Sequence, residues 1–215
     1  MSKFTLSLVI LFLLSGCSFK SEPNEWKYKS INAFSSYTQN FLSGRDVLAQ
    51  SDLKRALSHA KQSAKFKQLS RIYLGECALN ISVGIDDKCL KYKEVSNLVD
   101  DKTLQSYYEF ITLSFTQKSI KNLDSKYEEF AKSILDKDYA KAKEEVFDMD
   151  QISSTLLSAS LVKEEFSFDE ISVLIDEASY YGYKKSVIFW LNVQKYKTND
   201  DAKKKVIIKK LKIME

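Results

Sequence analysis

Turn-forming chemistry is scarce in this chain. Its 215 residues hold one proline, Pro23, and five glycines. A β-sandwich or barrel built from many short strands would need far more Gly, Pro and Asn-Gly punctuation than this. Histidine is scarcer still. His59 stands alone in Ala56-Leu57-Ser58-His59-Ala60, with no serine-, cysteine- or aspartate-centred motif around it from which to build a catalytic triad. There is no glycine-rich phosphate loop and no His-Glu-x-x-His zinc motif. Charge of one sign is lacking as well. Lys and Arg total 33 against 29 acids, a net of +4, which does not describe a nucleic-acid binder.

What fills the chain is Lys, Leu, Ala, Glu, Ser and Asp, with apolar residues recurring at helical spacing. The expected fold class is all-α, in antiparallel helical hairpins that form either a stacked array or an irregular bundle. The pattern predicts a helix over 25–42 with Gly44 as its C-cap, and one capped by Asp52 that carries Leu53, Ala56, Leu57, Ala60 and Ala64. A third runs over 66–83 and stops at Gly84. Asp86-Asp87 and Asp100-Asp101 open the next two, because acids suit the positive end of a helix dipole. Further helices are predicted over 120–135, from Asp138, and over 151–166. The sequence Ser167-Phe168-Asp169-Glu170 reads as a capping box before Ile171, Leu174, Ile175 and Ala178. After Gly182 come a helix over 185–196 and a last basic one ending at Met214.

The N-terminus has a different character. Lys3 precedes an apolar run from Leu6 to Leu14, too short for a membrane-spanning helix of about 20 residues. The run ends in Leu14-Ser15-Gly16-Cys17, which resembles the lipobox of bacterial lipoprotein signal peptides. The resemblance implies that residues 1–16 are a removable signal peptide. It further implies that the Cys17 thiol carries a diacylglyceryl group and that residues 17–25 tether the lipid to a helical domain over 26–215. Ser18 follows the cysteine where lipoproteins held at the inner membrane often carry Asp, so the outer membrane is the expected destination within the cell envelope. Two or three acyl chains suffice for stable anchoring, since each buried CH₂ contributes about 0.8 kcal/mol. The membrane is thus one expected partner, and an unidentified envelope protein is the other.

A second resemblance lies in the body. Asp52-Leu53-Lys54-Arg55-Ala56-Leu57, with Ala60 and Ala64, and Asp138-Tyr139-Ala140-Lys141-Ala142 resemble the second helix of a tetratricopeptide repeat. Leu74-Gly75 resembles the Leu-Gly pair of its first helix. The spacings do not keep the period of about 34 residues. What this family implies is a stack of helix pairs with a surface that binds protein or peptide.

Cys77 and Cys89 remain beside Cys17. Their even number in an oxidising compartment fits one bridge, and two buried free thiols are the alternative. The helical pattern sets Cys77 one to two turns before the end of one helix and Cys89 one turn into the next. A hairpin would therefore bring them together near its turn. No metal site and no cofactor are expected, since two cysteines without a near histidine make a poor zinc set.

The paired acids, such as Asp86-Asp87 and Glu144-Glu145, fall at helix starts or on polar faces, where capping and solvation account for them. Aromatic clusters serve packing first, but exposed Tyr and Trp favour interfaces. On that ground Tyr180, Tyr181, Tyr183 and Trp190 form the candidate partner-binding patch. The C-terminal helix interleaves Lys203, Lys204, Lys205, Lys209, Lys210 and Lys212 with apolar residues. Such a helix can lie on an anionic surface or, more commonly, cap a helical stack with its lysines in water. The expected function is a non-enzymatic, membrane-anchored scaffold that binds another envelope protein. The alternatives are a cell-wall-acting enzyme or its accessory subunit, and a carrier of a hydrophobic ligand.

Overall fold

The computed structural model describes residues 23–214, which form twelve α-helices and one 3₁₀ turn, with no strand among the described residues. The signal segment, the lipobox and Cys17 lie outside the described residues. The helices are α1 (Glu25–Leu42), α2 (Asp46–Ala60), α3 (Lys67–Ser82), α4 (Leu90–Ser96), α5 (Lys102–Ile111) and α6 (Gln117–Ile120). They continue with α7 (Ser125–Leu135), α8 (Tyr139–Phe147), α9 (Ile152–Leu161), α10 (Phe168–Tyr180), α11 (Lys184–Tyr196) and α12 (Asp201–Met214). Among the described residues, no helix is long and apolar enough to cross a membrane.

Local chemistry explains most of the helix starts. The Asp101 carboxylate accepts from the Thr103 and Leu104 amides at 3.0 and 3.1 Å, and Asp138 accepts from Lys141 at 3.1 Å. Ser167 and Glu170 form the reciprocal box in front of α10, with the Ser167 amide donating to Glu170 at 2.7 Å.

Two starts differ from expectation. Helix α2 opens at Asp46, so Asp52 lies inside it, buried and held by Asn40 of α1 and by Arg55. Helix α4 opens only at Leu90. Asp87 takes the Cys89 amide at 2.8 Å, which turns the chain before a helix can start and leaves Cys89 at the N-cap with φ +51°. The segment predicted over 120–135 is also two helices, broken where Asp124 caps α7.

Small residues govern how the helices meet. Ser30 and Ala33 of α1 face Ala56 and Ala60 of α2, close enough for the Ser30 hydroxyl to donate to the Ala56 carbonyl at 3.0 Å. A β-carbon on Gly75 would stand 2.4 Å from the Phe34 ring, so α3 needs glycine there to seat against α1. Hairpins α1–α2, α7–α8 and α10–α11 follow one another, and α12 packs on α11 through Ile207 and Leu211.

Contacts that skip along the chain close the structure. Helix α9 packs on α3, and α11 packs on α1. The result is a bundle, not an open row in which each helix pair touches only its neighbours. Its core carries fully buried Phe110, Phe130, Phe166 and Trp190, with Trp190 set edge-on to Phe166 at a centroid distance of 5.9 Å.

Truncating Trp190 to Ala should lower unfolding free energy by about 3–5 kcal/mol in urea titrations. A pH dependence follows from three carboxylates. The Arg55 hydrogen bond lowers the Asp52 pKa against the opposing effect of burial. At Asp101, burial raises the pKa, but Lys67 at 2.5 Å and the capping amides outweigh it. At Glu170 burial is likewise outweighed, by Lys143 at 2.8 Å and Ser167. Groups with lowered folded pKa values stabilise the fold above their unfolded values and lose that contribution as pH falls through the folded ones. Urea midpoints should therefore hold near neutrality and drop below about pH 4, with Asp52→Asn showing a shallower drop than the parent.

Candidate functional groove at three helix ends

Helices α3, α5 and α9 all finish at one place on the surface, beside Phe189 of α11. They leave a groove of ≈ 460 Å³. That volume lies in the range of preformed binding clefts. Its apolar lining comes from Ile81, Ile111 and Phe189, and its lips are Ile85 and Leu113, 47% and 49% exposed. Asp86, Lys88, Thr112 and Lys163 supply the polar edge.

Each wall has a local cause. Helix α3 ends in a Schellman turn, with Gly84 at φ +79° and the Ile85 amide donating to the Asn80 carbonyl at 2.9 Å. Glycine is needed twice over, because a β-carbon there would also meet the Phe189 ring at 2.5 Å. Helix α5 ends in the same way, with the Ser114 amide donating to Glu109 at 2.8 Å, but the left-handed position belongs to Leu113 at φ +53°. A leucine there costs about 1–2 kcal/mol of backbone strain that glycine avoids. Nor does burial offset this cost, since half of the side chain faces solvent at the groove's lip. The same left-handed turn ends α7 at Lys137, φ +60°, where the Asp138 amide donates to the Ser133 carbonyl at 2.9 Å.

The remaining wall is the loop Ile85–Lys88, pinned from behind. Cys77 and Cys89 lie at disulfide-bonding distance, with Sγ atoms 1.95 Å apart and Cα atoms 5.3 Å apart. The Asp87 carboxylate accepts from the Asn80 side-chain amide at 2.7 Å and from the Cys89 backbone. Lys91 of α4 reaches Glu76 of α3 at 2.5 Å on the same side. A second hollow of ≈ 300 Å³ lies behind the loop, lined by Tyr73, Glu76 and the two cysteines, so the pinned segment is a partition between two openings.

The acids around the groove are largely engaged with neighbouring groups. Asp87 is consumed by the loop's own hydrogen bonds, and Asp86 pairs with Lys88 at 2.6 Å in the open. Three helix C-termini bring partial negative charge to the site, and Lys163 stands at its edge. His59 lines a different hollow, with Lys29 and Arg55 on the α1–α2 face. Cys77, Asp87 and Cys89 are the one group of potential metal ligands gathered among the described residues. With their sulfurs 1.95 Å apart, the two cysteines leave no room for an ion between them.

The tyrosine patch divides. Tyr180 is 85% exposed, and its ring meets Tyr181 edge-on at 5.3 Å. Tyr181 stacks on Tyr183, which is itself buried. Trp190 is fully buried between Phe166 and Phe189 and so belongs to the core, because its helical phase points it inward. Only Tyr180 and Tyr181 of the four can meet a partner from outside. The groove residues Ile85, Leu113 and Phe189 escaped sequence reasoning. A signal for one of them was present, since Leu113-Ser114 follows α5 where a capping glycine is usual.

Comparison with known protein families, with curated proteins and with solved structures finds no match to this chain.

Replacing both Cys77 and Cys89 with Ser should lower stability by about 3 kcal/mol, the chain-entropy value for a loop of this length. Amide exchange across Ile85–Lys88 should also quicken. Finding two free thiols at these positions by mass spectrometry of protein taken from an oxidising compartment would contradict the bridge.

Proposed function

We propose that the chain is an envelope lipoprotein, held to a bilayer through lipid on Cys17, whose helical body works by binding a second envelope protein rather than by catalysis. The observation that carries the binding reading is Leu113. It is a strained and half-exposed leucine placed opposite Ile85 over an apolar groove. Apolar lips above an apolar floor, with charges at the edge, suit an anchoring side chain of a partner that excludes water at the centre and leaves the rim wet. Tyr180 and Tyr181 add exposed aromatic surface on a separate element. Ser18 favours the outer membrane as the site of attachment.

Anchoring and binding are tested separately. Labelled palmitate should enter the wild-type protein and fail to enter Cys17→Ala. A photo-crosslinking residue at position 85 should yield a discrete protein adduct in intact cells, and Leu113→Asp should reduce that adduct at least tenfold while leaving the circular dichroism unchanged. A carrier of a hydrophobic ligand would use the same groove, and the ≈ 460 Å³ volume favours it as the second reading. Organic extraction of the purified protein would then release a stoichiometric apolar compound, and the protein adduct would not form.

A further inference from the structure

Helix α12 buries little of itself. Ile207 and Leu211 seat it on the bundle, while Val206, Ile208 and Ile213 stay 56%, 52% and 75% exposed. On a helical wheel Val206 and Ile213 fall within about 20° of each other and Ala202 within about 40°, and Ala202 and Val206 open on the crevice beside α10 rather than being sealed against the bundle. Lys205, Lys209 and Lys212 flank this stripe on one side, and Lys203 and Lys210 on the other. All five are exposed, and no ion pair among the described residues ties up any of them. Asp201 is the helix's only acid. Lys203 and Lys210 also border a crevice of ≈ 360 Å³ between α10 and α12, lined by Phe168, Ile175 and Val206, so apolar surface continues inward from the stripe. Tyr196, 80% exposed, stands at the end of the preceding helix.

A helix that only caps a bundle gains nothing from isoleucine and valine in water between lysines. An exposed apolar stripe banked on both sides by lysines without carboxylate partners among the described residues, with Lys203 resting over the Phe168 ring at 4.7 Å, is complementary to one kind of surface, a bilayer leaflet that carries anionic lipid. There the stripe enters the acyl boundary and the lysines meet the phosphates. We infer that α12 is a second membrane contact, laying the C-terminal face of the bundle flat on an anionic leaflet. This inference rests on the reading of the chain as a membrane-tethered protein, and it concerns the orientation of the body and not its attachment.

The test uses full-length chain carrying Cys17→Ala, so that no lipid is attached and the apolar N-terminus is common to every sample. Partition is measured into vesicles of phosphatidylglycerol mixed with phosphatidylcholine, and into phosphatidylcholine alone. The expected result is strong preference for the anionic vesicles, weakened by salt. Joint Lys→Gln replacement at 203, 205, 209, 210 and 212 should cut partition by at least about a hundredfold, since each lysine near such a surface is worth about fivefold. Val206→Ser with Ile213→Ser should cut it on the same vesicles, while retained Ile207 and Leu211 keep the helix in place, as circular dichroism would check. Equal partition of the parent and the lysine variant, or equal binding to both vesicle types, overturns the inference. Palmitate labelling of the lysine variant in an otherwise wild-type chain reads attachment independently, so failure of the one is distinguishable from failure of the other.

Discussion

The packing of α3 against α9 is the contact on which the remainder of this fold depends. The two helices are far apart in the chain, and they meet because both present small side chains at the seam. Ala78 and Ser82 of α3 share a small hollow with Ser153 and Leu157 of α9, while Ser154 of α9 accepts from the Tyr127 hydroxyl of α7 at 3.0 Å. Small residues let helix axes come close and let the larger neighbours, among them Leu74, Leu156 and Leu157, close over the gap. Ser82 and Ser160 keep their hydroxyls satisfied by donating to carbonyls one turn back, whereas the buried hydroxyls of Ser70 and Ser158 meet no partner among the described residues. The same two halves, α1–α5 and α7–α12, also meet where α11 touches α1 and where Phe110 of α5 packs on Tyr127 and Phe130 of α7.

The groove is a by-product of the same closure. Because α3 and α9 are packed together and α5 lies along α3, their C-terminal ends arrive side by side. Three turns that each need a left-handed or tightened backbone are thereby gathered into one rim. The cysteine pair then stops the longest of those turns from collapsing into the hollow. Rigid helices place the floor, and short turns place the lips.

Much of the helix pattern was readable from local chemistry. Ser167 with Glu170, Asp101, Asp138, Gly84 and Gly182 each mark a boundary through a hydrogen bond or a φ value that only a few residue types supply. The approach of Cys77 and Cys89 was expected, but its geometry differs, since Cys89 lies at the N-cap of α4 in the left-handed region and not one turn into the helix. Reading failed where a side chain had two uses for its hydrogen bonds. Asp52 resembles a cap in sequence, yet it spends its carboxylate on Asn40 across the α1–α2 seam. Asp87 resembles a helix start, yet it turns the loop instead. Trp190 looked like surface because its neighbours Tyr180 and Tyr181 are. The groove itself was invisible, since Ile85, Leu113 and Phe189 come from three segments whose meeting depends on which distant helices pair, and periodicity carries no record of that.

Closure through α1 has a mechanical meaning. That helix touches α2, α3 and α11, and so it joins the first hairpin to the last third of the chain. Any pull delivered from the residues that precede Glu25 enters the bundle through α1 and is shared at once between its two halves. An open row of repeats would peel one pair at a time from the pulled end. Here the first helix cannot leave without breaking contacts across the whole body, so the domain would yield abruptly and at higher load than its individual hairpins.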